Sequence, residues 1–325
     1  MKDGLLEPLD FNEFPICESC LKGKMTKRPF NSKGYRATDF LKLVHSNVCG
    51  PMSIQARGGY EYFITFTDDY FRFGYVYLMK QKSEVFEKFK EFRDEVENQL
   101  GKRIKVIWSD HGDKYLLGDF KDYLIANGII SQLTAPGTPQ QNSVAERRNM
   151  TLLDMVRSML SYSTLPISFW GYALNIAMHL LNLVPSKFVP KTPMELWSGH
   201  KPSMRYLHIW GCLAHVLKGK PDKLEPKSKV CLLVGYPKET RGYLFYSHND
   251  YKVFVSTNAK FLEYDYMNNF TPKSKVVLAK MNELVIEQWM KLGMMWFYQI
   301  HHKILLMRWL VHKSLVVVGG LLGHM

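Results

Sequence analysis

The sequence predicts an α/β fold with a mixed five-stranded sheet, followed by a small all-β module. Three observations predict it. Between residues 37 and 135, β-rich runs alternate with helical periodicity in the order β-β-β-α-β-α-β. Within that stretch, Ser83–Leu100 carries apolar residues at intervals of three and four. From Leu207 the texture changes to short strand-like runs divided by turn-forming residues.

The first strand is expected over Phe40–Val48. Tyr60–Phe66 (YEYFITF) and Gly74–Met79 (GYVYLM) follow, with DDYFRF as the turn between them. In Ser83–Leu100, Val85, Phe86, Phe89, Phe92, Val96 and Leu100 form one apolar stripe, with Ser83 as the N-cap. Ile104–Trp108 reads as a buried strand, Asp119–Asn127 as a short helix and Ile129–Leu133 as a further strand. The loop APGTPQQN (135–142) holds a glycine and two prolines and is expected to be exposed and mobile. A long helix runs on to about Leu160, and more helix is expected from Pro166 to Leu183. Pro185, Pro190 and Pro193 break the chain after it. The all-β module is read from HIWGCLAHVL, VCLLVGYP, GYLFYSH and YKVFVSTNAKFLE.

Composition narrows the function classes. A chain of 325 residues with 46% hydrophobic and 14% aromatic content has enough apolar surface for two or three folded domains. Its net charge of +13, from 43 basic and 30 acidic residues, favours an anionic partner, of which nucleic acid is the commonest. Ordinary basic solubility explains the same number equally well. Cys17, Cys20, Cys49, Cys212 and Cys231 are an odd, sparse set, unlike a disulfide framework and suited to a reducing compartment. MKDGLLEPLDFNEF is acidic and lacks an apolar core, so no signal peptide is expected. The apolar tail from Ile300 is interrupted by Lys303, Arg308, His312 and Lys313, so no membrane span is expected either. Nucleus or cytoplasm, rather than secretion, is the expected location.

Two carboxylates sit in informative settings. Asp110 closes the strand-like run in KRIKVIWSD, and Glu146 opens the helical stretch in TPQQNSVAERRNM, with 35 residues between them. A strand-end and a helix-start carboxylate can converge on Mg²⁺, which prefers hard oxygen ligands and keeps several waters. Two such ions can activate an attacking oxygen and stabilise a leaving one at phosphorus. The spacing alone is weak. Glu146 also completes a capping box with Ser143, and Asp110 also suits a solvated turn. The third carboxylate such a site needs is expected upstream on an adjacent strand, and that position holds Asn47.

From about Cys17 to Glu263 the chain resembles the integrase region of Ty1/copia-type retrotransposon Pol polyproteins. The blocks that carry the resemblance are CESCLKGKM, LVHSNVCGPM, GGYEYFITFTDDY, WSDHGDKY, PGTPQQNSVAERRNMTLLDMVRSML, LPISFWGYAL, KTPMELWSGHKPS, IWGCLAHV and VGYPKETRGYLFY. The resemblance implies a ribonuclease-H-like integrase core followed by an SH3-like β domain. It implies a polynucleotidyl transferase for DNA integration and recombination. Such an enzyme trims DNA 3′ ends with water, joins them to target DNA, depends on Mg²⁺ or Mn²⁺, and assembles in several copies. The three acidic positions of the family fall at Asn47, Asp110 and Glu146. The family has Asp within HSDVCGP, and this chain has HSNVCGP. An amide is neutral, offers one ligating oxygen, and cannot bridge two cations. Lys114 stands where the family usually has an acidic residue, and Ser143 where it has glycine. The implied copy is therefore impaired in catalysis. A DNA-binding module without catalysis and a non-functional retroelement relic remain open beside it, with a ribonuclease H a weaker alternative. Asp68 and Asp69 are read as a solvated turn rather than replacement ligands.

The resemblance divides the chain into a remnant of a zinc-binding region (1–36), the catalytic core (37–200), the SH3-like domain (205–266), and a linker with an apolar, basic tail (267–325). Cys17 and Cys20 make half of a tetrahedral zinc site. The family's histidines precede that pair, whereas the first histidine here is His45, so retained zinc is not expected. The tail from Trp289 has no acidic residue and matches neither linker nor reverse transcriptase in texture, which suggests a frame shift or spurious exon. Residues 199–252 carry ten Lys or Arg against four Asp or Glu. Candidate phosphate contacts are Arg147 and Arg148 beside the carboxylates, and Lys218, Lys220, Lys223, Lys227 and Lys229 in the β module. Trp170 and Trp210 are expected in the core rather than as stacking platforms.

Overall fold

The computed structural model describes residues 36–109, 118–133, 143–185 and 191–263. The first sheet is built from β1 (Val44–Cys49), β2 (Tyr62–Asp68), β3 (Gly74–Met79), β4 (Val106–Ser109) and β5 (Ile130–Leu133). Its order is β3-β2-β1-β4-β5. β1 and β2, and β2 and β3, run antiparallel, whereas β4 is parallel to both β1 and β5. Three antiparallel strands, then parallel strands reached through helices, make the mixed sheet of a ribonuclease-H-like core.

Side-chain alternation sorts the strands between two layers. On one face, Val44, Ile64, Phe66 and Ile107 pack under α1 (Val85–Leu100) and α2 (Gly118–Ala126). α1 buries Val85, Phe89, Phe92 and Val96, and Phe92 stacks on Phe66 at 4.4 Å. Burying four such side chains contributes on the order of 10 kcal/mol as an upper bound. Gly101, at φ 62°, ends α1 in the left-handed conformation that glycine adopts without strain. Ser83 does not cap α1. It lies inside a 3₁₀ turn, Lys82–Glu84, where the Glu84 carboxylate accepts the N–H groups of Lys80 and Gln81.

On the other face lie α3 (Ser143–Tyr162) and α4 (Trp170–Asn182), with α5 (Pro193–Ser198) following. α5 was not expected from the sequence. Thr192 caps it by accepting the Glu195 N–H at 3.0 Å, and Gly199 at φ 77° stops it.

The second sheet contains β6 (Leu213–Leu217), β7 (Ser228–Gly235), β8 (Tyr243–Ser247), β9 (Lys252–Ser256) and β10 (Ala259–Phe261). It is antiparallel throughout, in the order β10-β6-β7-β8-β9. Cys212, Ala214, Val216, Cys231, Leu233 and Phe245 form its own core. Val234 and Tyr246 instead enter the core under α4, beside Trp170 and Phe169. Trp170 Nε1 donates to Ile54 O at 2.8 Å and Trp210 Nε1 to Val234 O at 3.0 Å, so both rings are core residues with satisfied polar ends.

Two expectations are corrected at the start of the core. β1 begins at Val44, not Phe40, because Leu41 is buried at φ 54° and is tied down by a carboxylate. That carboxylate belongs to Asp68, and neither Asp68 nor Asp69 is solvated: each is 3% exposed. Asp68 accepts the N–H groups of Leu41 and Phe71 at 2.9 Å. Asp69 accepts from Ala37 N at 2.7 Å and His45 Nε2 at 2.9 Å, and pairs with Arg72 at 3.2 Å. The turn is a buried anchor for the chain entering β1.

Candidate metal and nucleic-acid site

Asn47 sits near the middle of β1, directly opposite Thr65 on β2. Residues opposite one another in an antiparallel pair share a face, and this pair faces α3 and α4. Thr65 Oγ1 donates to Asn149 Oδ1 on α3 at 2.7 Å and lies 3.4 Å from Asn47 O. Asn149 is 4% exposed, so this hydrogen bond fixes α3 against the β1–β2 pair. Glu146 lies three residues before Asn149, on the same side of the helix, and is half-buried. The helix register therefore carries Glu146 to the sheet face that displays Asn47.

Asp110 follows Ser109, the last residue of β4, and lies outside the described residues. Lys114, Cys17, Cys20, the loop 135–142 and the tail from Trp289 lie outside them too, as does the side chain of Ser143. Trp108, which pairs with His45 in the β1–β4 register, stacks on the His45 ring at 5.9 Å. Among the described residues, no group of three or more His, Cys, Asp or Glu lies close enough to hold a metal ion.

Asp68 and Asp69 are engaged by partners other than Asn47. Asp68 pairs with Val44, three residues from Asn47 along β1, which is about 10 Å at the rise of a strand. Their electrostatics also differ. Burial pushes Asp68 above its ordinary value. Burial would raise Asp69 as well, but hydrogen bonds from His45 and Ala37 and the charge of Arg72 outweigh it, holding that carboxyl below its ordinary value.

The two arginines after Glu146 part company. Arg147 is exposed. Arg148 was expected to contact phosphates, and the structure corrects this: its guanidinium turns inward over Gly74. Nη1 donates to Arg72 O at 2.8 Å and Nη2 to Asn182 Oδ1 at 2.9 Å. Asn182 in turn bonds both the N–H and the C=O of Gly74, at 2.9 and 2.8 Å. Burial, and then the charge of Arg72, push Arg148 down to about 10. The sequence signal that would have found this strut is Gly74 itself, since a Cβ there would meet Arg148 Nε at 2.6 Å.

In the connection between β6 and β7, Lys220, Lys223 and Lys227 are exposed. Lys218 and Lys229 are half-buried, and Lys229 pairs with Asp250 at 2.7 Å while lying 4.5 Å over the Phe254 ring. No helix among the described residues is long and apolar enough to cross a membrane.

Comparison with known proteins places these features. Residues 211–275 match the family model of the retroviral polymerase SH3-like domain, which covers β6 to β10. The chain is 41% identical over 252 residues to the retrovirus-related Pol polyprotein from transposon TNT 1-94 of Nicotiana tabacum. It is 29% identical over 250 residues to that from transposon RE2 of Arabidopsis thaliana. Each match covers 76% of this chain, which spans 19% and 17% of the two polyproteins. A chain of the simian T-cell lymphotropic virus intasome in complex with PP2A regulatory subunit B56 gamma is similar at a TM-score of 0.47 and 16% identity, covering 75% of this chain and 87% of that one. By sequence likeness over three-quarters of its length, the chain belongs with the retrovirus-related Pol polyproteins and corresponds to a copia-type Pol segment.

Proposed function

We propose that this chain is an integrase-like region that binds DNA, with metal-dependent 3′-end processing and strand transfer impaired at Asn47. One observation carries the reading: Asn47 occupies the β1 position on the face beneath α3, on the same side as Glu146. Strand-transfer chemistry there needs carboxylates converging on divalent cations. The donors present do not fit two cations. Asn47 supplies one neutral oxygen, its neighbours Thr65 and Asn149 are committed to each other, and Asp68 and Asp69 are anchored elsewhere. With Asn at position 47, Asp110 and Glu146 would offer divalent cations one carboxylate fewer than the three the chemistry calls for.

DNA contact without chemistry is the reading this substitution favours. Arg147 beside Glu146 and the exposed lysines 220, 223 and 227 between β6 and β7 support it, since Lys and Arg contacts to phosphate dominate such binding. DNA ends and target DNA are the proposed partners, with further copies of the chain assembling on them.

The test is strand transfer of DNA oligonucleotides with Mg²⁺ or Mn²⁺, comparing the chain with its Asn47→Asp variant. Product from the variant alone is expected. Equal robust activity in both sinks the impairment. RNA–DNA hybrid cleavage in place of strand transfer moves the reading to a ribonuclease H.

A further inference from the structure

Arg148 raises an electrostatic question that the candidate metal site does not answer. Among the described residues its hydrogen-bond partners are neutral: Arg72 O, Asn182 Oδ1 and the Met178 sulfur at 3.4 Å. Its Nε has no partner among the described residues. The residue whose carbonyl it grips brings another positive charge. A buried cation without a counter-charge is costly, and it projects its field toward the nearest surface.

That surface is a turn already rich in arginine. Arg72 pairs with Asp69 and keeps 22% of its side chain exposed. Arg36 Nη2 donates to Tyr70 O, two residues away on the same turn, at 3.4 Å. Arg147 is exposed beside Arg148, and both Arg36 and Arg147 are close enough for their charges to weigh on Arg72. Among the described residues, this turn gathers Arg36, Arg72, Arg147 and Arg148 around Asp68 and Asp69. Both carboxylates are already engaged by main-chain N–H groups, and Asp69 also holds His45.

We propose that Arg36, Arg72 and Arg147 form a corner that binds DNA phosphodiesters, with Arg148 beneath it as a fixed positive charge. The planar guanidinium fork matches phosphate oxygens. Main-chain carbonyls and Asp69 hold Arg36 and Arg72 in place before a ligand arrives, which lowers the ordering cost of binding. The turn lies at the Val44 end of β1, about 10 Å from the Asn47 level. At 3.4 Å of rise per base, that is about three base steps. The corner would grip the backbone of a strand whose end reaches the face between Asn47 and Glu146. This rests on the proposed DNA-binding function and adds to it a defined backbone contact away from the carboxylates.

The experiment measures binding of a fluorescent DNA duplex by the full chain, by anisotropy, between about 50 and 200 mM salt. Arg36→Gln and Arg147→Gln are each expected to weaken binding and to reduce the slope of log K against log salt by about one. Lys121→Gln, on α2 across the sheet, is expected to leave the slope unchanged. Thermal midpoints of both variants should match the wild type, which separates lost contacts from lost fold. If the variants keep the wild-type slope, the corner is wrong and the proposed function survives. If the wild-type chain does not bind the duplex, both fall.

Discussion

Replacing Gly74 by alanine tests the strut beneath α3. Gly74 has an ordinary negative φ, so the backbone tolerates alanine. The obstacle is steric: the new Cβ would lie 2.6 Å from Arg148 Nε and 2.7 Å from its Cζ. The guanidinium must leave, surrendering its bonds to Arg72 O and Asn182 Oδ1. Hydrogen bonds to a charged group contribute about 1.5 to 3 kcal/mol each, so the loss is about 3 kcal/mol or more. In a domain of this size that lowers the melting temperature by roughly 6 to 12 °C. Urea unfolding followed by tryptophan fluorescence reads it. Arg148→Met removes the clashing group, so Gly74→Ala should cost at least about 1 kcal/mol less in that background. If the two substitutions add to within about 0.5 kcal/mol, the strut is not what constrains Gly74.

Other consequences are open to the same measurement. Asp69→Asn should cost about 2 kcal/mol at neutral pH by weakening the His45 and Arg72 contacts. The Asp69 carboxyl titrates below its ordinary value when folded, so its stabilisation is full above the unfolded value and lost as pH falls through the folded one. Asp68 titrates above its ordinary value and gains a proton on folding, which offsets part of that acid loss; Asp69→Asn should therefore flatten the acid limb of the stability curve, and an unchanged limb would rule the assignment out. Thr65→Val should cost about 1 to 3 kcal/mol by stranding Asn149, whose Nδ2 is already without a partner among the described residues. Arg57→Ala should loosen the second sheet, because Arg57 lies 5.0 Å over Phe169 and 5.2 Å over Tyr246 and donates to Tyr251 O at 2.9 Å; faster amide exchange over residues 243–256, for a loss of about 2 kcal/mol, is the expected result.

The elements that pattern alone made legible were those governed by a repeating face. Gly74–Met79 falls where the sequence places it, because aromatic and β-branched residues fill a strand buried on both sides. The α1 stripe of Val85, Phe89, Phe92 and Val96 is likewise buried as read. What was not legible depended on contacts between distant residues. Asp68 and Asp69 look like a solvated turn because the sequence does not show that Ala37, Leu41 and His45 come back to meet them. Arg148 looks like a surface cation because its partners, Arg72, Met178 and Asn182, lie up to 76 residues away. Of the candidate site, the position of Asn47 and the side taken by Glu146 follow from strand register and helix period. The place of Asp110 lies outside the described residues.

The polar seam beneath α3 bears on why an amide at position 47 suits the fold. Thr65, Asn149, Asn182 and Gly74 hold helix to sheet with neutral hydrogen bonds, and Arg148 beside them has no anionic hydrogen-bond partner among the described residues. A carboxylate at position 47 would add a charge to a half-buried face that also receives Glu146, and like charges at close range raise the cost of ionising both. Bound cations remove that cost by binding the folded state. An amide removes it without them, and gives up the bridging ligand in doing so. Asn47→Asp is thus expected to lower stability by about 1 kcal/mol in chelator and to regain it as Mg²⁺ is added, while the wild type responds little. A variant as stable as the wild type in chelator, and unmoved by Mg²⁺, would mean that position 47 faces no cation site at all.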